Sequence, residues 1–254
     1  MAILYVASEA AELEPFAKLL TGARKLKWPV DYAYEGIWNS RRILLGANGA
    51  GPNLAAKVVE MGIRAGMAAE LSASKLEAVV STGFCGALDL DLKECGIVVA
   101  EAVVCPATGE KFECVGVESE REFTAGLVLS QDCIANSSKE KQELFARGAI
   151  AVDMEAAGVA ARTKRAGLPF CCIKVVSDRA DEFFPFDLNT MRSKEGRIVR
   201  GKIVVHAFSH PNVIPALRRL KQRTVDAAKV LGDFLVSSRI VSESGSAQPG
   251  ATGS

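Results

Sequence analysis

The segment PFCCIKVVSD, residues 169–178, is the feature that limits the possible folds of this chain most strongly. It is an almost continuous apolar run that ends in a polar pair, and such a run is typical of a strand buried on both faces of a sheet. Because both faces of that sheet must be covered, helices are expected above and below it. We therefore predict an α/β fold, with Ser177 and Asp178 at the carboxyl end of an inner strand.

Strand-like and helix-like runs alternate along the rest of the chain, which supports the same fold class. The predicted strands cover residues 2–8, 41–47, 76–83, 96–104, 113–117 and 125–130, and the predicted helices cover residues 9–20, 53–69, 153–166 and 217–235. Residues 239–254 are rich in Gly and Ser and lack apolar periodicity. We therefore predict one domain over residues 1–238, followed by a disordered tail.

Charge and hydropathy argue against two classes of function. The 31 basic and 30 acidic residues give a net charge of +1, so the chain is a poor candidate for tracking nucleic acid by charge. No apolar stretch reaches the length of about 18 residues that a transmembrane helix requires. The first residues predict a strand and a helix rather than a signal peptide.

The seven cysteines predict reduced thiols in a cytoplasmic protein, because their number is odd and several lie in apolar runs. No CxxC pair occurs and there are two histidines, so neither a zinc site nor another metal is expected. The glycine-rich segments NGAGP and STGFCGAL match neither a dinucleotide-binding nor a P-loop pattern. We therefore expect no cofactor.

Three places carry carboxylates that are candidates for chemistry. Asp178 follows a buried strand, where ligands of α/β sheets bind, although a capping or turn role has about equal weight. Asp153 is most simply the cap of the following helix, whereas Glu155 has two interpretations. It is favoured by the helix dipole, and it is also suited to accept hydrogen bonds from a ribose diol. Taken alone, Glu12 would be interpreted as a solvated side chain.

Four segments, in this order, resemble the purine nucleoside phosphorylase and nucleosidase superfamily. They are VASEAAELEPF, STGFCGALDLDLKECGIVVAEAVV, AVDMEAAGVA and VVSDRADE. The likeness is greatest to the branch that contains 5′-methylthioadenosine/S-adenosylhomocysteine nucleosidase. It implies a single three-layer α/β/α domain around a twisted mixed sheet, assembled as a homodimer or a larger homo-oligomer. It also implies an enzyme that cleaves the N-glycosidic bond of a purine nucleoside, adenine in this branch, without metal or cofactor.

The resemblance implies a role for individual residues. Asp178 matches the aspartate that protonates purine N7, Ser177 matches the residue that orients it, and Glu12 matches the glutamate that activates water. Glu155 and Met154 match the residues that hold the ribose. The remaining matches concern the walls of the pocket. Ile134 and Ala135 match the place where the family packs a side chain on the base and bonds the base through the backbone, Ala180 matches the residue under the base, and Phe186 matches the wall on the 5′ side of the ribose.

Two departures from the family pattern bear on the acceptor and on the substrate. After Gly83, Phe84 stands where phosphorolytic members carry a serine, which predicts hydrolysis. A phosphorylase that uses Arg41, Arg42 or the amides of residues 49–51 stays open, as does a non-catalytic nucleoside-binding protein. The long C-terminal part and the FFPF segment resemble the hopanoid-associated phosphorylase branch, and its phenylalanines predict an apolar 5′ pocket.

Overall fold

The computed structural model describes residues 1–68, 75–182, 187–191, 193, 210 and 214–241. Its five helices are α1 (Ala10–Leu19), α2 (Pro52–Ala68), α3 (Ser138–Phe145), α4 (Ala156–Arg165) and α5 (Ile214–Ser237). The strands are β1 (Ala2–Ala7), β2 (Thr21–Lys25), β3 (Tyr32–Trp38), β4 (Arg41–Ala47), β5 (Leu76–Ser81), β6 (Phe84–Ala87), β7 (Ile97–Val104), β8 (Lys111–Glu113), β9 (Gly116–Ser119), β10 (Thr124–Ser130), β11 (Ala149–Asp153), β12 (Phe170–Asp178) and β13 (Ser238–Val241).

Eleven of these strands form one mixed sheet, in the order β2-β3-β4-β1-β5-β12-β6-β11-β10-β7-β8. Parallel pairing joins β4, β1, β5 and β12, and antiparallel pairing joins β6 to β11 and β12 to β7. The predicted inner strand is therefore β12, which pairs with β5, β6 and β7 along its length. The carboxyl ends of β1, β11 and β12 bring Ser8, Asp153 and Asp178 to one cavity.

Helices cover both faces of the sheet, which confirms the predicted three-layer α/β/α architecture. On one face, side chains of α2 and α4 such as Val58 and Val159 are fully buried. On the other face, α1 and α5 contribute Phe16 and Leu231 to a second buried cluster. The seven cysteines are all free, and three of them are buried. Within the described residues, no helix combines the length and the apolar character that crossing a membrane requires.

The structure adds elements that the sequence patterns did not predict. They are β2, β3, β6, α3, β11 and β13. β13 pairs with β9, and Ile240 of this strand is buried against the core. Residues 239–241 of the predicted tail therefore belong to a strand, and residues 242–254 lie outside the described part of the chain. The division into one domain and a tail stays a prediction.

Candidate active site

A cavity of about 220 Å³ opens at the carboxyl ends of β1, β11 and β12. Side chains that the resemblance places in a nucleoside site line this cavity together: Glu12, Phe84, Ile134, Ala135, Met154, Glu155, Ser177 and Asp178. The other lining residues are Ser8, Ala50, Cys85, Gly86, Cys133, Lys141, Val152, Asp153, Leu220 and Thr224. Polar groups from distant parts of the chain therefore meet in one largely apolar concave site, which is the usual setting of a ligand site.

Asp178 ends β12 and is buried, with both carboxylate oxygens engaged. Its Oδ1 accepts a hydrogen bond of 2.7 Å from the hydroxyl of Ser177, whose Oγ also lies 3.2 Å from the carbonyl oxygen of Cys85. Its Oδ2 lies 2.5 Å from the ammonium of Lys141 in α3. Ser177 thus orients the carboxylate as the resemblance implies, and Lys141 adds a buried ion pair that was not predicted.

Glu12 lies in the first turn of α1 and is 4% exposed, so the interpretation as a solvated side chain is wrong. Its Oε2 accepts hydrogen bonds from the backbone amides of Ser8 and Glu9, and its Oε1 accepts one from the amide of Phe84. A carboxylate that bonds the free amides of a helix start is fixed in one orientation. Burial raises the pKa of Glu12 to about 7, although these amides and Lys174 partly oppose that rise.

Gly83 explains how Glu12 reaches the sheet. A Cβ at this position would lie 2.7 Å from Glu12 Oε2, and the φ of Gly83 is +109°. Both the space and the backbone conformation therefore require glycine. Gly83 supports the position of Glu12 and is not one of the residues that line the cavity.

Glu155 and Asp153 flank the beginning of α4. Asp153 Oδ2 accepts hydrogen bonds from the amides of Glu155 and Ala156. The N-cap of α4 is Glu155, however, so the prediction that Asp153 is the N-cap is wrong by two residues. The same oxygen lies 2.7 Å from Nζ of Lys174, and both side chains of this ion pair are fully buried. Glu155 itself accepts a hydrogen bond of 2.9 Å from the amide of Gly51.

We refer to Glu12, Asp153, Glu155 and Lys174 as the carboxylate cluster. Burial raises the pKa of Glu155 to about 8; Lys174 opposes this rise, while Asp153 and Glu12 add to it. Burial disfavours the charge on Lys174, but its acidic neighbours outweigh that effect and raise the pKa of Lys174 well above its usual range. The cluster therefore holds a permanent cation beside carboxyls that take up protons near neutral pH.

Backbone contacts at Ile134 differ from the expectation that this residue bonds the base. The amide of Ile134 donates a hydrogen bond of 2.8 Å to Oδ1 of Asn189, and its carbonyl accepts one of 3.0 Å from Nδ2 of the same side chain. The backbone of Ile134 is therefore engaged within the protein, while its side chain and Ala135 remain on the cavity wall.

Other predicted residues lie away from the cavity or outside the described part. Ala180 is buried in the cluster packed under α2 and α4 and is not among the residues that line the cavity. Phe186, with Phe183 and Phe184, lies outside the described residues, so the apolar 5′ wall stays a prediction. Neither Arg41 nor Arg42 lines the cavity; they contact Glu77 and Glu35 respectively.

Lys141 and Lys174 are the site residues that sequence reasoning missed. Lys174 carries a usable signal, since a lysine inside an apolar strand needs a buried acidic partner. Lys141 carries no such signal, because it stands in the polar sequence SKEKQELF. Only the packing of α3 against the end of β12 reveals it.

Comparisons with known proteins agree with this picture. A sequence model described as the phosphorylase superfamily matches residues 101–204. The 5′-methylthioadenosine/S-adenosylhomocysteine nucleosidase of Actinobacillus succinogenes is 26% identical over 208 residues, which are 71% of this chain and 87% of that protein.

Solved structures match over almost the whole chain. The S-adenosylhomocysteine nucleosidase of Streptococcus pyogenes superposes with a TM-score of 0.69 at 18% identity, covering 93% of this chain and 95% of that chain. The futalosine hydrolase of Helicobacter pylori gives a TM-score of 0.67 at 19% identity, covering 93% and 96%. At these identities the superpositions establish the fold. Together with the sequence matches, they confirm the resemblance to this enzyme superfamily.

Proposed function

Because the chain resembles the phosphorylase superfamily in sequence and in fold, we propose that it hydrolyses the N-glycosidic bond of a 5′-substituted purine nucleoside. The observation that supports this most directly is that Glu12, Glu155 and Asp178 line one cavity, although they come from distant parts of the chain. Hydrogen bonds within the protein hold each of these carboxyl groups in place. The name of the curated relative specifies adenine nucleosides, so adenine is the base that we propose first.

Departure of the base is the step assigned to Asp178. Breaking the N-glycosidic bond leaves an electron pair on the purine, and a proton at N7 turns the base into a neutral leaving group. General acid catalysis of this kind contributes about 10²–10⁴ in rate. Asp178 is suited to it because the hydroxyl of Ser177 fixes its orientation and because Gly86 lies close beside it, where a Cβ would be 3.0 Å from Oδ2.

Activation of water is the step assigned to Glu12. A general base works best when its pKa lies near the working pH, and the pKa of about 7 meets that condition. The three amides that hold Glu12 leave its orientation fixed while the proton is taken. The attacking oxygen joins the anomeric carbon, and its proton goes to Glu12.

Glu155 is assigned to the ribose hydroxyls. Its Oε1 is held by the amide of Gly51, and the residue lines the cavity beside Met154. Above about pH 8, where Glu155 is ionised, a charged hydrogen bond of this kind is worth about 1.5–3 kcal/mol. We therefore expect Glu155→Gln to weaken the binding of ribonucleosides more than that of 2′-deoxyribonucleosides, because the latter already lack part of the interaction.

The choice of water over phosphate rests on the cavity wall. Phe84 presents a ring where a phosphate site needs a hydroxyl donor, and no arginine is among the described residues that line the cavity. The amide of Gly51, one of the alternative donors, is already bonded to Glu155. These contacts favour hydrolysis over the phosphorylase alternative.

The test is to incubate the protein with adenosine, inosine and 5′-methylthioadenosine, with and without phosphate. Free base is followed by chromatography, and the sugar product is identified by mass spectrometry. We expect free base and a sugar with an anomeric hydroxyl, at a rate that phosphate does not change. A sugar 1-phosphate would overturn hydrolysis.

The matched variant for this experiment is Asp178→Asn, which keeps the shape of the side chain and removes the carboxylate. We expect turnover to fall at least about 100-fold. Binding of nucleoside should persist, as measured by calorimetry. Binding by the wild-type protein without release of base would instead identify a non-catalytic nucleoside-binding protein.

A further inference from the structure

Lys141 of α3 is a buried lysine. Its side chain is 1% exposed although its helix, α3, is otherwise polar and partly solvated. Its Nζ lies 2.5 Å from Asp178 Oδ2 and 2.5 Å from the carbonyl oxygen of Arg179. Burying an ammonium is costly, and a buried ion pair is often no more stabilising than well-packed apolar residues in the same place, so stability alone does not account for this pair. The contact of Lys141 with Asp178 therefore points to a role in the chemistry of that carboxylate.

The contacts of Asp178 are those of a carboxylate rather than of a carboxylic acid. Oδ1 is in contact with the Ser177 hydroxyl and Oδ2 with the Lys141 ammonium, so both oxygens face hydrogen-bond donors. An ionised carboxylate accepts hydrogen bonds and has no proton to give. The proton for the departing base must then come from the other member of the pair, and the ammonium of Lys141 carries it.

We propose that Lys141 and Asp178 act as a dyad in which Lys141 supplies the proton that Asp178 delivers to the purine. This inference rests on the proposed function and deepens it. In the first transfer, an Nζ–H bond of Lys141 breaks and an O–H bond forms on Oδ2 of Asp178. In the second, Asp178 gives a proton to N7 as the glycosidic electron pair moves into the purine ring.

The dyad loses one proton in each turnover, leaving Lys141 as an amine and Asp178 as a carboxylate. The attacking water gives its hydroxyl to the anomeric carbon and its proton to Glu12. Glu12 then returns a proton to solvent, and the dyad regains one from solvent. The net change is hydrolysis, and no further reactant is needed.

Other ionisable groups near the dyad have their own partners. Asp181 is paired with Arg179, and Glu182 is paired with Arg223 of α5. Cys85 of β6 stays a neutral thiol, because burial raises its pKa far above the ordinary value. Across the cavity, Glu12 and Glu155 titrate near pH 7 and 8 and affect every variant alike. The ratio of variant to wild-type turnover therefore isolates the contribution of the dyad.

The test compares Lys141→Met with Lys139→Met. Methionine has nearly the length of lysine and is suited to a buried site. Lys139 lies on the same helix, but its side chain is 87% exposed, so the same substitution there controls for effects on α3. Turnover is measured from pH 5 to pH 9 on a purine nucleoside and on 4-nitrophenyl β-D-ribofuranoside, whose leaving group departs without protonation.

We expect Lys141→Met to lose about 100-fold or more in turnover on the purine nucleoside at pH 8. The loss should shrink towards pH 5, because solvent then supplies protons to the site more readily. Turnover on the nitrophenyl riboside should stay within about threefold of wild type, because no proton is needed. Lys139→Met should match wild type on both substrates.

Two results would overturn the dyad. Equal losses on both substrates at every pH would mean that Lys141 is structural, and unchanged turnover on the purine nucleoside would mean that Asp178 acts alone. Failure of the proposed function is distinguishable from both, because the wild-type protein would then release no base at all.

Discussion

The Lys141–Asp178 pair and the carboxylate cluster each place a buried lysine beside acidic side chains, but their charge balance differs. At Asp178 one ammonium meets one carboxylate, and both carboxylate oxygens have donors. In the cluster, the single ammonium of Lys174 faces three carboxyls. Burial raises the pKa values of Glu12 and Glu155, and for Glu155 the neighbouring Asp153 and Glu12 add to that rise. The proposed roles of proton donor and proton acceptor depend on this difference in how many buried carboxyls share one cation.

Removing the cation of the cluster should produce the largest effect. Lys174→Met leaves Asp153 buried without its ion pair, and breaking a buried pair in this way costs about 3–5 kcal/mol. We expect that loss in the free energy of unfolding measured with urea at pH 8. The double variant Lys174→Met/Asp153→Asn should recover part of it. A loss below about 1 kcal/mol would contradict the importance of this pair.

Glu12→Gln tests the proposed base of the carboxylate cluster. Turnover should fall at least about 100-fold, because the amide cannot take a proton from water. In the wild-type protein, turnover should decrease as the pH falls through about 7, where Glu12 becomes protonated.

This acidic limb near pH 7 should be absent from the residual activity of Glu12→Gln. Glu14→Gln is the control, since Glu14 is exposed on the same helix. If Glu12→Gln kept the acidic limb, that limb would have to arise from the titration of another group.

At high pH, substitutions in the two regions should change the free energy of unfolding in opposite directions. The pKa of Glu155 is about 8 in the folded protein and 4.5 in a free side chain, so between these values the folded state binds the extra proton. Stability therefore falls as the pH rises through this window. Glu155→Gln removes the penalty and should raise the free energy of unfolding at pH 9 by about 2 kcal/mol, with little change at pH 4.

Asp178→Asn provides the contrast to this gain. It leaves the buried ammonium of Lys141 without its partner, so this variant should be less stable than wild type at pH 9. Stabilisation of both variants, measured by thermal unfolding, would remove the distinction between the balanced pair and the cluster.

Ser177→Ala should have the smallest effect. It removes the hydrogen bond to Asp178 Oδ1, and one such bond is worth about 0.5–1.5 kcal/mol. We expect turnover to fall by up to about tenfold, with Lys141 still holding the other oxygen. Ser177→Thr keeps the hydroxyl and should retain most of the activity in the same assay. An effect as large as that of Asp178→Asn would show that Ser177 does more than orient the carboxylate.

The sequence predicts the parts of this molecule that depend on local patterns. The apolar run that became β12 and the alternation of strands and helices are local, and the structure confirms them. The burial of Glu12 is different. Its surroundings come from Gly83 and Phe84, far along the chain, so only the family resemblance indicated it.

Long-range packing accounts for the elements and residues that were missed. The strand β6 has four residues, and β11 follows a polar helix, so neither shows a clear period. Lys141 is invisible for the same reason, because its partner lies 37 residues away on another element. Pairwise proximity of this kind is a property of the fold and not of any short segment.

The position of β12 also has a consequence for the order in which the molecule is built. This strand pairs with β5, β6 and β7, all of which precede it by many residues in the chain. Contacts between distant segments form late, because the intervening chain must first lose its freedom. Among the described strands of the large sheet, Asp178 stands on the last one in chain order. During synthesis, the earlier strands leave the ribosome with a gap at the centre of the sheet, and the cavity is complete only after β12 has filled that gap and α5 has added Leu220 and Thr224 to the wall.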